Sequence, residues 1–190
     1  MKVREVSDRY WSPKLENHYQ PYPARIIRKK KVTERDSFFQ LRLEDKDKAD
    51  SFSFNPGQFM QVSIPGVGEF PVTICSSPAQ AGVIDIVVRR VGRATETLHS
   101  MEENELVGLR GPYGNGFPMK FLEGRDLLMI GGGLGIGPIR SVLWYAVHHR
   151  GLYGNLCLIF GAKRSSDVLF REELDELFHR KDVQTLYCLE

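Results

Sequence analysis

The chain has 190 residues, of which 26 are Lys or Arg and 24 are Asp or Glu, so its formal net charge is +2. This balance argues against nucleic acid as a partner, because nucleic-acid-binding domains are usually strongly basic. No apolar run reaches the roughly 20 residues that span a bilayer, and the N-terminus lacks the apolar core of a signal peptide. We therefore expect a cytoplasmic protein that binds neither nucleic acid nor membrane.

The three cysteines, Cys75, Cys157 and Cys188, are far apart in the sequence, and none lies in a C-x-x-C pair. This spacing argues against a metal or iron–sulfur site made by this chain alone. We interpret them as buried, reduced thiols and predict no metal ligands.

Residues 1–20 are polar and aromatic without periodicity, and we predict an extended arm there. Over residues 21–122, short apolar runs alternate with Pro-Gly turn signals, which is typical of a closed antiparallel barrel. A helix over 94–101 is predicted to cover one end of the barrel with Leu98 and Met101. The predicted strands are 24–32, 38–43, 59–64, 70–75, 83–91 and 105–110.

The pattern changes near Gly124, and residues 123–190 predict the first part of a doubly wound α/β domain. The uninterrupted apolar run at 127–130 is expected of a strand covered on both faces. A sheet of about three strands is small for this class, so we expect residues beyond Glu190 to be missing. The predicted order is strand 126–130, helix 139–149 with Pro138 at its first position, strand 155–160, a helix containing Phe170, Leu174, Leu177 and Phe178, and strand 183–189.

Residues 129–138 form a glycine-dense turn between the first of these strands and its helix, with the sequence Met-Ile-Gly-Gly-Gly-Leu-Gly-Ile-Gly-Pro. Such a turn is an anion site, because backbone N–H groups and the helix dipole face outward and no Cβ blocks a phosphate. It departs from the G-x-G-x-x-G fingerprint, since Pro138 takes the third Gly position and 160–164 offer no acidic ribose ligand. We interpret it as a nucleotide site rather than a structural turn, because so many glycines carry a folding cost.

Three weaker motifs each have two interpretations. Residues 70–78, Phe-Pro-Val-Thr-Ile-Cys-Ser-Ser-Pro, present a hydroxyl to a flat ring or form a plain strand before a turn. Residues 87–95 end at the start of a helix that Thr95 caps. This helix start either binds a pyrophosphate or is simply the capped end of a surface helix. Residues 111–117 form a tight loop at the junction of the two halves, where ligand clefts are favoured.

The order and spacing of these motifs resemble the ferredoxin–NADP reductase superfamily over about residues 20–190. The motifs are P-G-Q-F, F-P-V-T-I, V-G-R-A-T, G-P-Y-G-N-G-F, G-G-G-L-G-I-G-P and F-G-A-K…D-V-L-F-R-E-E-L. Within the superfamily the chain looks closest to FAD- and NAD(P)-binding electron-transfer subunits. Examples are the gamma subunit of soluble sulfhydrogenases, the flavin-bearing subunit of anaerobic sulfite reductase and the electron-transfer subunit of dihydroorotate dehydrogenase.

The resemblance implies a role for each matching position. Thr73 is the implied partner of flavin N5 and the candidate catalytic residue. Phe70 stands where the family has an Arg that meets the FAD pyrophosphate, so Arg89 or Arg93 is expected to compensate. The implied FAD-binding positions are Phe70, Pro71, Val72, Thr73, Arg89, Gly92, Arg93, Ala94, Thr95 and Gly114. The implied NAD(P)-binding positions are Gly133, Leu134, Gly135, Ile136, Pro138, Gly161, Ala162 and Lys163.

The resemblance further implies hydride transfer between NAD(P)H and flavin N5, followed by single-electron transfer to an iron–sulfur partner. That partner is a hydrogenase-type catalytic subunit or a ferredoxin, and a [2Fe–2S] cluster is expected on cysteines beyond Glu190. Two alternatives stay open: a stand-alone NAD(P)H:flavin or ferredoxin reductase, and a non-catalytic nucleotide-binding module, which Phe70 favours. The basic run at 28–31 either docks an acidic partner or is a solvated strand end. NADH and NADPH are not distinguished.

Overall fold

A computed structural model describes residues 19–80 and 82–190, so nearly all of the predicted N-terminal arm lies outside the described residues. The first half is a six-stranded antiparallel sheet with two helices, which confirms the predicted class. Its strands are β1 (Tyr22–Lys31), β2 (Asp36–Leu43), β3 (Phe59–Ile64), β4 (Gly68–Thr73), β5 (Ile84–Arg89) and β6 (Leu106–Tyr113), and its helices are α1 (Lys46–Ser51) and α2 (Arg93–Ser100).

The strand order β4-β3-β6-β1-β2-β5 makes β4 and β5 the two edges of this sheet. Just past the end of β4, the Cys75 N–H donates to the Asp85 carbonyl at 2.8 Å. This bond brings the two edges together, so the sheet curls into a barrel. The interior is filled by side chains such as Ile26, Phe39 and Leu109, and Leu98 of α2 packs against them as predicted.

The second half is a parallel sheet in the order β7-β8-β9, as the alternation of apolar runs and helical stripes predicts. Its strands are β7 (Leu127–Gly132), β8 (Leu156–Ala162) and β9 (Val183–Leu189), and its helices are α3 (Ile136–His148) and α4 (Arg171–Leu177). A single 3₁₀ turn over Gly133–Gly135 joins β7 to α3. Within the described residues, no helix is long and apolar enough to cross a membrane.

Both α3 and α4 pack on the same face of this sheet, against side chains such as Met129, Leu158 and Val183. The opposite face leaves Leu128, Ile130 and Leu186 exposed, by 62%, 63% and 54%. The prediction that the first parallel strand is covered on both faces therefore holds for only one face in the described residues.

Several predicted boundaries differ from the structure by up to three residues, and two of these differences have a clear physical reason. Helix α3 begins at Ile136, three residues earlier than predicted, and Pro138 is its third residue. Proline is tolerated there because N–H groups in the first helical turn have no intrahelical acceptor. Strand β4 begins at Gly68 because a turn, closed by Val67 N–H donating to the Ile64 carbonyl at 3.0 Å, returns the chain at once into pairing with β3.

Candidate functional site

The edge strand β4 carries the segment predicted to line a flavin. Phe70 and Val72 pack against the barrel core, so Pro71 and Thr73 point to the outer face. An edge strand also tolerates Pro71, because its missing N–H removes no interior ladder bond. Thr73 is in register with Phe59, which in turn is in register with Tyr113. The Thr73 side chain therefore shares the outer face with an aromatic pair whose ring centroids are 5.7 Å apart.

The N-terminus of α2 lies beside the start of the same edge strand, since a Cβ on Gly68 would lie 3.9 Å from the Ala94 Cβ. Thr95 fixes this turn from the third helical position rather than from the N-cap, which is Gly92. Its hydroxyl accepts from the N–H groups of Val91 and Gly92, at 3.0 Å each, and donates to the Gly92 carbonyl. The first-turn N–H groups of α2 remain without intrahelical acceptors, and no atom lies within 4 Å of a Cβ on Gly92. This end of the edge strand thus fits a phosphate.

The second candidate site is a groove, called the second groove below, at the carboxyl ends of the parallel strands, where open α/β sheets bind nucleotides. Its volume is about 660 Å³. Gly133 adopts a left-handed φ of +51°, and no atom lies within 4 Å of a Cβ on Gly133 or Gly135. The backbone there is open to a close-lying phosphate. The groove is lined by Gly132, Gly133, Gly161, Ala162, Lys163, Arg35, Arg89, Asp167, Cys188, Leu189 and Glu190.

The structure therefore brings Gly133, Gly161, Ala162 and Lys163 together, as the sequence predicts. Three other predicted NAD(P)-binding positions offer no side chain or no N–H group to the glycine turn. Ile136 is fully buried and Leu134 packs against the α/β core, so only their backbone faces the turn. Pro138 has no N–H to donate.

Arg89 is held by a carboxylate. Its Nε and Nη2 donate to the two carboxylate oxygens of Asp36 at 2.8 and 3.0 Å. Burial raises the pKa of Asp36, but the hydrogen bonds from Arg89 and Thr33 more than offset it and leave that pKa below its usual value. Arg89 also lines the second groove. Arg93, the exposed first residue of α2, has no ion-pair partner among the described residues.

Gly114 lies just after β6, where its carbonyl accepts from Gln58 Nε2 at 2.6 Å and Phe59 covers it. Phe59 and Tyr113 were not predicted as site residues, although strand alternation places both on the face of Thr73. Cys75 is fully buried, and burial raises the pKa of its thiol to about 12. It therefore stays neutral at physiological pH and is not a nucleophile.

Segment 74–77 directly follows β4 and connects the barrel to the α/β half. Helix α3 packs on it, since a Cβ on Gly137 would lie 3.6 Å from Val87 and 3.9 Å from Cys75. Arg140 and Ser141 of the same helix donate to the carbonyls of Cys75 and Ser76, at 2.6 and 2.7 Å. The sequence carries no signal for Arg140, because nothing in the helical pattern of α3 distinguishes it from a solvated arginine.

Comparison with known proteins agrees with this geometry. Sulfhydrogenase 2 subunit gamma of Pyrococcus furiosus is 48% identical over 172 residues, which cover 90% of this chain and 58% of that protein. The protein described as "probable dihydroorotate dehydrogenase B (NAD(+)), electron transfer subunit" of the same organism is 33% identical, covering 67% of this chain and 46% of that protein. The chain thus spans about half the length of these curated relatives.

Among solved structures, ferredoxin-NADP+ reductase from Plasmodium falciparum superposes with a TM-score of 0.73 at 16% identity. The superposition covers 89% of this chain and 70% of that one, and at this identity it shows the fold alone. Residues 129–189 match the oxidoreductase NAD-binding domain, and residues 23–117 match the oxidoreductase FAD-binding domain. Because the FAD-binding match spans half of the 190 residues, the chain belongs to the family of oxidoreductase FAD-binding domains, followed by an NAD-binding domain of the same class of enzymes.

Proposed function

We propose that this chain forms the FAD- and NAD(P)-binding part of an oxidoreductase that moves electrons between NAD(P)H and an iron–sulfur partner. One observation carries the proposal: the open glycine turn at α2 lies beside the start of β4, and helix α3, which follows the second open glycine turn, packs on the segment just past the end of the same strand. A hydride donor and its acceptor must approach within roughly 3–3.5 Å of each other, and in this proposal they meet at the Thr73 end of β4.

Each part of the chain has a separate task in this proposal. The turn at Gly92–Thr95 binds the FAD pyrophosphate, with Arg93 supplying a positive charge. The turn at Gly133–Gly135 and Lys163 bind the NAD(P) phosphates. The Thr73 hydroxyl donates a hydrogen bond at the reacting end, and Phe59 and Tyr113 exclude water on the same face. When bound, FAD takes up hydride from NAD(P)H and releases the electrons one at a time.

We further propose that the chain works as a subunit of a larger redox complex. The printed names of both relatives, a gamma subunit and an electron transfer subunit, support this assignment. The electron acceptor in the proposal is an iron–sulfur subunit of the hydrogenase type or a ferredoxin. A cytoplasmic location is part of the same proposal, and three free cysteines suit a reducing compartment.

A pair of glycine substitutions tests the assignment of the second groove. Gly133→Asp places a carboxylate in the open turn, where it repels a phosphate, while the left-handed backbone tolerates Asp. Gly124→Asp is the matched control, because Gly124 has φ +74° and equally open surroundings but does not line the second groove. We expect Gly133→Asp to weaken NADH or NADPH binding at least 10-fold and to leave FAD binding unchanged.

The measurements are the visible absorption of protein incubated with FAD and its anaerobic bleaching by NADH or NADPH. Wild type and the Gly124→Asp control should bind FAD and bleach. A wild-type protein that takes up no FAD would show a nucleotide-binding module without flavin chemistry. If Gly133→Asp bleaches as the control does, the NAD(P) site lies elsewhere.

A further inference from the structure

We propose that Arg140 is a positioning residue, which fixes the segment after Thr73 to the helix that carries the NAD(P) turn. The inference rests on the proposed function, because it assigns Arg140 a role in aligning the two binding sites. The residue lies in the second turn of α3, and its side chain is 12% exposed.

Arg140 joins three separate parts of the molecule. Its Nη1 donates to the Cys75 carbonyl at 2.6 Å, in the segment after β4, and lies 3.2 Å from Asp85 Oδ2 in β5. Its Nε and Nη2 donate to Glu173 of α4, at 2.8 Å each. The guanidinium also lies over the Phe170 ring, 4.9 Å from its centroid. One side chain thus ties the barrel to both helices of the α/β half.

The charges around Arg140 are balanced by hydrogen-bonded partners. Asp85 also accepts from Gln40 at 2.9 Å, and Glu173 also accepts from Trp144 Nε1 at 2.6 Å. Burial works against the charge of Arg140, but the carboxylates of Glu173 and Asp85 hold the pKa of the guanidinium above its ordinary value. A buried ion pair adds little net stability over an apolar replacement. The Arg140 contacts therefore matter more for the positions they fix than for the stability they add.

The segment that Arg140 binds is held on both sides of its backbone. Ile74 N–H donates to Gln58 and Cys75 N–H to Asp85, at 3.0 and 2.8 Å, on the barrel side. Arg140 and Ser141 bind the carbonyls of Cys75 and Ser76 on the α3 side. Thr73 lies one residue before this segment, and Gly133–Gly135 lies directly before α3. A shift of this contact would therefore change the distance between the two proposed reacting groups.

The test uses Arg140→Lys, which keeps the charge and avoids leaving buried carboxylates unpaired. A lysine ammonium lacks the planar fork that reaches a carbonyl and two carboxylates at once. Arg25→Lys is the matched control, because Arg25 also bridges a carboxylate, Glu44, and a carbonyl, Asn104, on the outside of the barrel.

Hydrogen–deuterium exchange on the protein without FAD is the first measurement. We expect amides of residues 74–77 to exchange faster in Arg140→Lys than in wild type, and at the wild-type rate in Arg25→Lys. Unchanged exchange in Arg140→Lys would overturn the proposal. This readout does not depend on electron transfer, so it separates a failure of this inference from a failure of the proposed function.

Stopped-flow reduction of FAD-loaded protein by NADH or NADPH is the second measurement. Since a displacement of about 1 Å costs on the order of 100-fold in rate, we expect the limiting reduction rate of Arg140→Lys to fall about 10- to 100-fold. The dissociation constant for NAD(P)H should stay within about 3-fold of wild type. A loss of thermal stability at an unchanged limiting rate would show a merely structural role and overturn the inference. If wild type itself is not reduced, the proposed function fails, and the exchange result alone decides the backbone contact.

Discussion

The side chain of Thr73 lies on the outer face of an edge strand, beside Phe59 and close to the segment held by α3. Replacing Thr73 with Val keeps the shape of the side chain and removes its hydroxyl. A neutral hydrogen bond is worth about 1 kcal/mol, so we expect Thr73→Val to slow flavin reduction by NAD(P)H about 5- to 10-fold in stopped-flow traces. Thr185→Val, the same change inside β9, is the control. Equal rates in Thr73→Val and wild type would remove Thr73 from the reaction.

His99 anchors α2 to the barrel, with Nε2 at 2.9 Å from the Val88 carbonyl and Nδ1 at 3.3 Å from the Ser37 hydroxyl. Burial is the main cause that lowers the pKa of His99 below its usual value. The unfolded chain, with a histidine pKa of about 6.5, then binds the proton more readily than the folded one. The stability from this group is fully present above about pH 6.5 and is lost as the pH falls below it.

We therefore expect the melting temperature of wild type to fall between about pH 7 and pH 5 more steeply than that of His99→Gln. The glutamine amide keeps a donor for the Val88 carbonyl but does not titrate. His179→Gln, a change at an exposed histidine after α4, should keep the wild-type slope. Parallel curves for wild type and His99→Gln would contradict the assignment.

The loop after β6 contains a glycine that packs closely against another segment of the barrel half. Gly116 has φ +68°, and a Cβ there would lie 2.8 Å from the Pro56 carbonyl oxygen and 2.9 Å from the Asn55 Cβ. Gly66 has a similar φ of +73° and no atom within 4 Å of its Cβ position. A comparison of substitutions at Gly66 and Gly116 therefore separates the cost of a left-handed backbone from the cost of a steric clash.

We expect Gly66→Ala to lower the free energy of unfolding by about 1 kcal/mol, the cost of a left-handed alanine. Gly116→Ala should cost about 2–4 kcal/mol, because the clash adds to that strain. Urea denaturation midpoints measure both. Similar losses in the two variants would show that the loop yields without cost.

The predicted elements came from apolar patterns, and the errors in their boundaries came from turn and helix-end hydrogen bonding, which apolar patterns do not report. Apolar alternation and Pro-Gly turns predict all six barrel strands, and 3.6-residue stripes predict both helices of the α/β half. The predicted start of α3 is too late because the apolar stripe begins after the helix does. A helix can begin wherever its first N–H groups can stay unpaired. The start of β4 was missed because the turn at Val67 sets it.

In the molecule as a whole, the glycine turns were predictable and their surroundings were not. Glycine at Gly133 and Gly135 signals a close backbone approach in any sequence. The contacts of Arg140, by contrast, join residues 65 positions apart, and no local pattern reports them. Arg89 likewise reads as a free cation in the sequence, whereas Asp36, 53 residues away, holds it in the structure. Pairing between residues that are distant in the sequence is therefore the part of the site that only the fold supplies.

The bare face of the parallel sheet has a consequence for how this polypeptide behaves in a test tube. Ile130 of β7 and Leu186 of β9 are both in register with Ile159 of β8, and Leu128 lies two residues before Ile130 on the same face, so these side chains form one exposed apolar surface. Parallel sheets are normally shielded from water on both sides, and patches of this kind promote sticking between molecules. Colloidal behaviour of the isolated 190-residue polypeptide should therefore depend on concentration, with turbidity that a mild detergent suppresses.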